Sequence, residues 1–256
     1  MLPAFFYRSI LPALIFCTCF SSGNAAAQTF VGFHGGLTVG RLDKPFVDGY
    51  VEPGLQTPYR AQDYFHPGLT AGVGLEYPLH PRLVLAFGFH AIQKNNRRQF
   101  EPYLFYPLAE DTIRSIVTKS TFVEFPVGLR ATLLSNEKYR CRVGLGLGLA
   151  RWSHRKLREN YTDGSFYSRS NAVYGTPSTR SFEASLQTSL GWEWKKEGGF
   201  WRLEGLYAHG LTNLATERAL EGVFKRFQTR TMALRLSWWF DVRRFWENIH
   251  AVPAEE

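Results

Sequence analysis

Apolar and polar residues alternate with a period of two in eight stretches of the chain. The first carries Val31, Phe33, Leu37 and Val39 on one face, with Gly32, His34, Gly36, Thr38 and Gly40 between them. The second sets Leu69, Ala71, Val73, Leu75 and Tyr77 against Thr70, Gly72, Gly74 and Glu76. The third sets Leu83, Leu85, Phe87 and Phe89 against Ala86, Gly88 and His90. The fourth sets Val123, Phe125, Val127, Leu129, Ala131 and Leu133 against Glu124, Gly128, Arg130 and Thr132. The fifth sets Val143, Leu145, Leu147 and Leu149 against Arg142, Gly144, Gly146 and Gly148. The sixth sets Phe182, Ala184, Leu186, Leu190, Trp192 and Trp194 against Glu183, Ser185, Gln187, Ser189 and Glu193. The seventh, from Phe200 to Gly210, is broken on its polar face by Leu206. The eighth sets Met232, Leu234, Leu236, Trp238 and Phe240 against Ala233, Arg235 and Ser237. Strict alternation of this kind predicts strands with one apolar face.

The connections alternate too. Pro78–Arg82, Ser135–Lys138 and Lys196–Gly199 read as tight turns. The links Asp43–Phe65, Asn95–Lys119, Leu157–Thr179 and Thr212–Phe227 are long. Long connections are uncommon in compact domains unless they serve a function. Short turns at one end and long loops at the other describe an outer-membrane barrel. The predicted fold is therefore all-β: an eight-stranded, antiparallel, up-and-down transmembrane β-barrel with short periplasmic turns and long extracellular loops.

Alternation does not say which face is inside, because a soluble lipocalin-like barrel alternates with its apolar face inward. Three features favour the membrane. Tyr77, Tyr139, Trp192, Trp194, Trp201, Trp238 and Phe240 gather near the predicted periplasmic ends, where amphipathic rings form a girdle at the headgroups. The other face is rich in glycine and sparse in charge, unlike a soluble exterior. Eight strands enclose a lumen that side chains just fill. The charges on that face are Glu76, Arg130, Arg140, Arg142, Glu193, Arg202 and Glu204, toward the periplasmic end. Isolated charges in a narrow lumen are costly, so they are expected to pair. A Lys196–Gly199 turn sets Glu193 against Arg202 inside and Trp194 against Trp201 outside, both favourable cross-strand pairs. The cluster reads as a structural plug rather than a gate or a proton path.

Composition fits this picture and closes off others. Of 256 residues, 20% are charged and 16% aromatic. The mean hydropathy is −0.22. Such a chain is too polar for a helical bundle and too apolar for a disordered one. Arg8, the apolar run Ile10–Phe20 and three small residues, Ala25–Ala27, have the order of a secretory signal. Residues 1–27 are expected to be removed, leaving a barrel over 28–241 and a periplasmic tail over 242–256. Cleavage leaves 29 basic residues against 22 acidic ones, a net charge of +7. It also removes Cys17 and Cys19 of the three cysteines, so Cys141 alone cannot build a disulfide or zinc framework.

Basic residues gather in two places. Arg151, His154, Arg155, Lys156 and Arg158, with Arg169 and Arg180 in or beside the same loop, are predicted at the outer surface. Lys94, Arg97 and Arg98 form a second group. Two readings of the first stretch stand side by side. One is a solvated charge run. The other is contact between Arg155, Lys156 and Arg158 and the phosphates of lipopolysaccharide. Nucleic acid is not an expected partner of an exported barrel.

Four segments resemble the PorT-like outer-membrane β-barrel family of Gram-negative bacteria. These are Phe30–Leu37, Gly68–Leu79 with its Leu-Glu-Tyr-Pro-Leu end, Ser120–Leu129, and Tyr207–Asn213. The resemblance covers most of the chain after residue 27. It implies a barrel in the outer membrane and a role in type IX secretion or another envelope function, with an envelope or secretion-complex protein as partner. The chain departs from a plain barrel in its basic third loop and in the tail beyond Phe240. In that tail Phe245, Trp246 and Ile249 are spaced as on an amphipathic helix.

Other chemistry is weighed on the same residues. Gly144–Gly148 alternates with leucine and lacks the strand–loop–helix setting of a phosphate cradle. Ser153 and His154 are adjacent on a strand, so they are expected on opposite faces. No nucleophile elbow accompanies them. His34 and His90 read as lumen packing residues. No catalytic, metal or cofactor site is expected. The reading is a structural or accessory outer-membrane barrel. A small pore or solute-binding barrel is the alternative, ahead of a lipid-modifying enzyme or a soluble secreted barrel.

Overall fold

The structure is a computed structural model that describes residues 29–43, 59–102, 113–161, 163–172, 181–212 and 228–243. Among the described residues there are ten strands. They are β1 (Phe30–Asp43), β2 (Tyr59–His80), β3 (Leu83–Gln93), β4 (Asn95–Pro102), β5 (Ile113–Ser135), β6 (Tyr139–Tyr161), β7 (Phe166–Ala172), β8 (Phe182–Lys196), β9 (Gly199–Gly210) and β10 (Gln228–Asp241). Every pairing is antiparallel. Eight strands form a closed ring: β1 pairs β2, then β3, β5, β6, β8, β9 and β10 follow, and β10 returns to β1 from Phe30↔Asp241 to Asp43↔Gln228. Closure removes the unpaired edges that an open sheet would expose.

The two strands beyond eight have a common origin. β4 continues β3 past an interruption at Lys94, pairing β2 on one side and β5 on the other. β7 folds back on the far end of β6, outside the ring. The sequence pattern reads all of this as loop because the segments have no apolar face. Asn95–Pro102 is NNRRQFEP, for example. Backbone pairing with a neighbouring strand needs no apolar face, so the ladder runs on. Parts of three of the four long links predicted from the sequence are therefore strand: residues 59–65, 95–102 with 113–119, and 157–161 with 166–172. β5 and β6 have 23 residues each. About 9–11 tilted residues cross a bilayer, so half of each strand projects outside it.

Periplasmic turns are short. Pro81–Arg82 and Glu197–Gly198 are two-residue turns, and Asn136–Lys138 is a three-residue turn. The Asn136 carboxamide oxygen accepts the N–H groups of Lys138 at 3.0 Å and Tyr139 at 2.6 Å. Gly198 takes φ 77°, a left-handed conformation that costs other residues energy. The turn pairs Lys196 with Gly199, which sets Glu193 opposite Arg202 and Trp194 opposite Trp201.

The two faces of the ring are inverted relative to a soluble protein. Leu37 and Leu149 on the outer wall are each 61% exposed, while Glu76, Glu124 and Glu193 inside are 0% exposed. A predominantly apolar exterior of this kind marks a lipid-facing surface. The interior carries many polar and charged residues, with buried aromatics (Phe122, Trp152, Phe200, Trp239) and a small apolar cluster of Leu206, Ala208 and Ala233 among them. Leu206 thus interrupts the polar face of β9 by packing against small neighbours on adjacent positions of the lumen wall.

Candidate functional site

The charges of the lower lumen form one connected network around two carboxylates. Glu76 on β2 accepts from Arg130 Nη1 at 2.5 Å, Arg142 Nη1 at 2.8 Å, and Arg202 Nη1 and Nη2 at 2.6 and 3.0 Å. Glu193 on β8 accepts from Arg202 Nε at 2.8 Å, from Arg202 Nη2 and from Arg140 Nε. Arg142 Nη1 lies 3.4 Å from the same carboxylate. Arg130 Nη2 reaches on to Glu204 at 2.8 Å. All seven sequence-predicted lumen charges therefore meet, although they come from β2, β5, β6, β8 and β9. Bidentate guanidinium–carboxylate geometry makes such contacts the strongest of their class.

Two buried aromatics that the alternation did not single out complete this layer. Trp239 and Phe200 point inward and stack with ring centroids 6.0 Å apart. The Arg202 guanidinium lies 4.7 Å from the Trp239 ring and 5.1 Å from Phe200. Space for Trp239 comes from glycine. A Cβ on Gly74 would come within 2.6 Å of its ring, and one on Gly32 would collide with it. The Trp239 indole N–H donates to Ser237 at 2.8 Å.

A second charged cluster closes the upper lumen, and sequence reasoning missed it. Lys94 is 1% exposed whereas Arg97 is exposed, so the expected grouping of Lys94 with Arg97 and Arg98 is corrected. Its ammonium donates to Glu183 at 2.9 Å and lies 3.7 Å from Glu124. The Thr229 hydroxyl also donates to Glu183. A buried ammonium needs a carboxylate, and two converge there from β5 and β8. The available signal was Glu124 and Glu183 on polar faces without a cation in the pattern. Between the clusters lies a cavity of about 60 Å³ lined by His34, His90, Gln187, Ser189, Glu204 and Arg235. The two imidazoles meet edge to face at 4.2 Å. This volume has room for a few waters and nothing the size of a metabolite.

The predicted girdle residues lie on the outer wall. Tyr139, Trp192 and Trp201 are exposed, and Tyr77, Trp194, Trp238 and Phe240 are partly so. Tyr139 packs on Trp192 at 5.9 Å, Trp201 on Trp238 at 5.0 Å, and Phe33 on Phe240 at 6.1 Å. All belong to the periplasmic half.

The basic stretch of β6 is rearranged by a bulge. Trp152 pairs with Phe122 and His154 with Thr121, so Ser153 is an extra residue. Its hydroxyl donates to the Thr121 carbonyl at 3.0 Å. Ser153 and His154 are consequently both exposed, rather than facing opposite ways as regular alternation predicts. Arg151, His154, Lys156 and Arg158 come to share the outer face. Arg155 takes a position on the other face, and its side chain lies outside the described residues. At the hairpin tip, hydrogen bonding from Ser165 holds the Asp163 carboxyl below its usual range.

Among the described residues no group of three or more His, Cys, Asp or Glu is placed to hold a metal. Of the tail, Val242 and Arg243 are described. Val242 N–H donates to the Thr29 carbonyl at 3.0 Å, and Phe245, Trp246 and Ile249 lie outside the described residues, as does the 1–27 segment.

A closed ring of eight antiparallel strands, apolar outside and ionic inside, defines a transmembrane β-barrel of the bacterial outer membrane. The chain belongs to the outer membrane protein beta-barrel domain family, whose model matches residues 25–216. Several solved outer-membrane proteins are similar to the chain at low identity. The attachment invasion locus protein Ail of Yersinia pestis is 16% identical, with a TM-score of 0.37, covering 83% of this chain and 99% of its own. OprG of Pseudomonas aeruginosa is 12% identical, with a TM-score of 0.44 and coverage of 84% and 97%. The outer membrane protease OmpT of Escherichia coli is 10% identical, with a TM-score of 0.43 and coverage of 84% and 96%. No curated protein sequence matches the chain.

Proposed function

We propose that this barrel is a sealed structural or accessory component of the outer membrane, acting in protein secretion or envelope assembly as the PorT-like resemblance implies. The observation that supports this reading is the layer of seven interlocked charges across the lower lumen. Four arginines and three glutamates, stacked on Phe200 and Trp239, occupy the cross-section a solute would have to pass. Export by residues 1–27, with cleavage after Ala27, would deliver the chain to its membrane. Its contacts would then be made by what faces outward. Of the expected lipopolysaccharide contacts Arg155, Lys156 and Arg158, the last two share the outer face and are the ones proposed, whereas Arg155 stands on the opposite face. The extracellular extensions and the 242–256 tail are offered to an envelope or secretion-complex protein.

Three measurements test this. In planar bilayers the full chain is expected to give no steady conductance, and a reproducible open-channel current would favour the pore alternative. Cross-linking in the native membrane followed by mass analysis is expected to recover one envelope protein in stoichiometric amount. Loss of the chain with no effect on secretion or on envelope integrity would count against an accessory role.

A further inference from the structure

We infer that the outer wall of β4, β5 and β6, just above the apolar belt, binds the phosphate groups of the outer-leaflet glycolipid, with Lys119 and Lys156 at its centre and Arg97 and Arg158 at its flanks. The inference rests on the proposal that this barrel meets lipopolysaccharide, and it assigns the site.

Register carries the argument. Lys119 stands directly opposite Lys156, and both are exposed. Directly opposed residues share a face, with adjacent strands about 4.8 Å apart. One step further out, Val117 is flanked by Arg97 on β4 and Arg158 on β6, and both arginines are exposed. Four cations thus sit on a patch three strands wide. Like charges directly opposed across a ladder are destabilising unless an anion lies between them. The described outward positions of β5, β6 and β7 carry no carboxylate. Glu124 is inside the lumen, and Glu159 is on the opposite face, where it accepts the Tyr161 hydroxyl at 3.1 Å. Among the described residues no carboxylate stands beside this pair, and the neutralising anion is inferred to come from outside the chain.

The height of the patch names its source. The belt ends at the level of Val123, Arg151 and Phe182, where the Arg151 guanidinium lies 5.8 Å from the exposed Phe182 ring. Lys119 is four residues above Val123, roughly 10 Å along the barrel axis at ordinary strand rise and tilt. That is the depth of the phosphorylated sugar headgroup, and lysine stems are long enough to reach down to it. The site is also built rather than incidental. The Ser153 bulge puts His154, Lys156 and Arg158 on the same face as Arg151. From inside, Trp152 secures the bulge by stacking on Phe122 at 5.4 Å and donating its indole N–H to the His154 carbonyl at 3.2 Å. Arg158 rests over Phe166 at 4.2 Å, which leaves its N–H edges for an anion.

The test uses the full chain folded into phosphatidylcholine vesicles containing bis-phosphorylated lipid A, dephosphorylated lipid A, or neither, with divalent cations chelated. The readout is the midpoint temperature at which the folded form is lost on a gel of unboiled samples. The wild type is expected to gain stability with phosphorylated lipid A only. Lys119→Gln/Lys156→Gln is expected to keep less than half of that gain. In phosphatidylcholine alone it should be no less stable than the wild type, because a repulsion has been removed. Lys138→Gln/Arg82→Gln, at the opposite end of the barrel, should keep the whole gain. A gain retained by the lysine variant, or produced equally by dephosphorylated lipid A, overturns the site and leaves the broader lipopolysaccharide proposal standing. No gain in the wild type with either lipid overturns both.

Discussion

Glu76 has no solvent exposure and accepts four hydrogen bonds from three arginines. Removing its charge would leave three guanidinium groups without their common acceptor. Breaking a buried ion pair from one side costs about 3–5 kcal/mol. Glu76→Gln is therefore expected to lower the unfolding midpoint in denaturant far more than Arg140→Gln, because Arg140 is partly exposed and serves Glu193 alone. Equal losses would mean that the network is not centred on Glu76. Trp239 depends in turn on the bare glycines beside it. Gly74→Val is expected to displace the ring and destabilise the barrel, seen as a lost near-ultraviolet circular dichroism signal. Both predictions concern residues whose partners are far away in sequence. The seven lumen charges were legible because each lies on the polar side of an alternating stretch. Trp239 was not, because an aromatic among polar positions does not announce the glycines that accommodate it.

At the level of elements, turns and bulges decide which side chains face which medium. Gly198 holds a left-handed φ in a two-residue turn. Gly198→Ala is expected to cost about 1–2 kcal/mol and to slow folding of the β8–β9 hairpin, checked by refolding kinetics in detergent. The Ser153 bulge makes a less obvious prediction. Ser153 is the unpaired residue, so deleting it restores a regular ladder and leaves His154, Lys156 and Arg158 on their present face. The deletion variant is expected to fold and to keep its response to phosphorylated lipid A. Failure to fold would show that the bulge supports β6 as well as adjusting its phase. The sequence pattern placed the membrane-spanning parts of all eight ring strands, since there the alternation is enforced by lipid on one side and a polar lumen on the other. It ended them too early on the extracellular side, where neither face meets lipid and backbone pairing alone extends the ladder.

For the molecule as a whole, closure is the governing fact. β10 pairs along the entire length of β1, so no strand edge meets lipid. A closed barrel resists detergent denaturation at room temperature, and the unboiled chain is expected to migrate differently from the boiled one and to leave the membrane only with detergent. A chain found in the soluble periplasmic fraction without a mobility shift would contradict this assignment of faces. By itself the sequence determined the period, the strand number, the tight turns and the charged character of the lumen, because these follow from local alternation and turn chemistry. Only the tertiary structure decided which charges meet. It brought Lys94 inside between Glu124 and Glu183, drew four arginines from three strands around two carboxylates, and turned the β6 cations onto one outer face through a single extra residue. Those outcomes depend on inter-strand register, which is set by pairing across the whole ring and leaves no mark in any one segment.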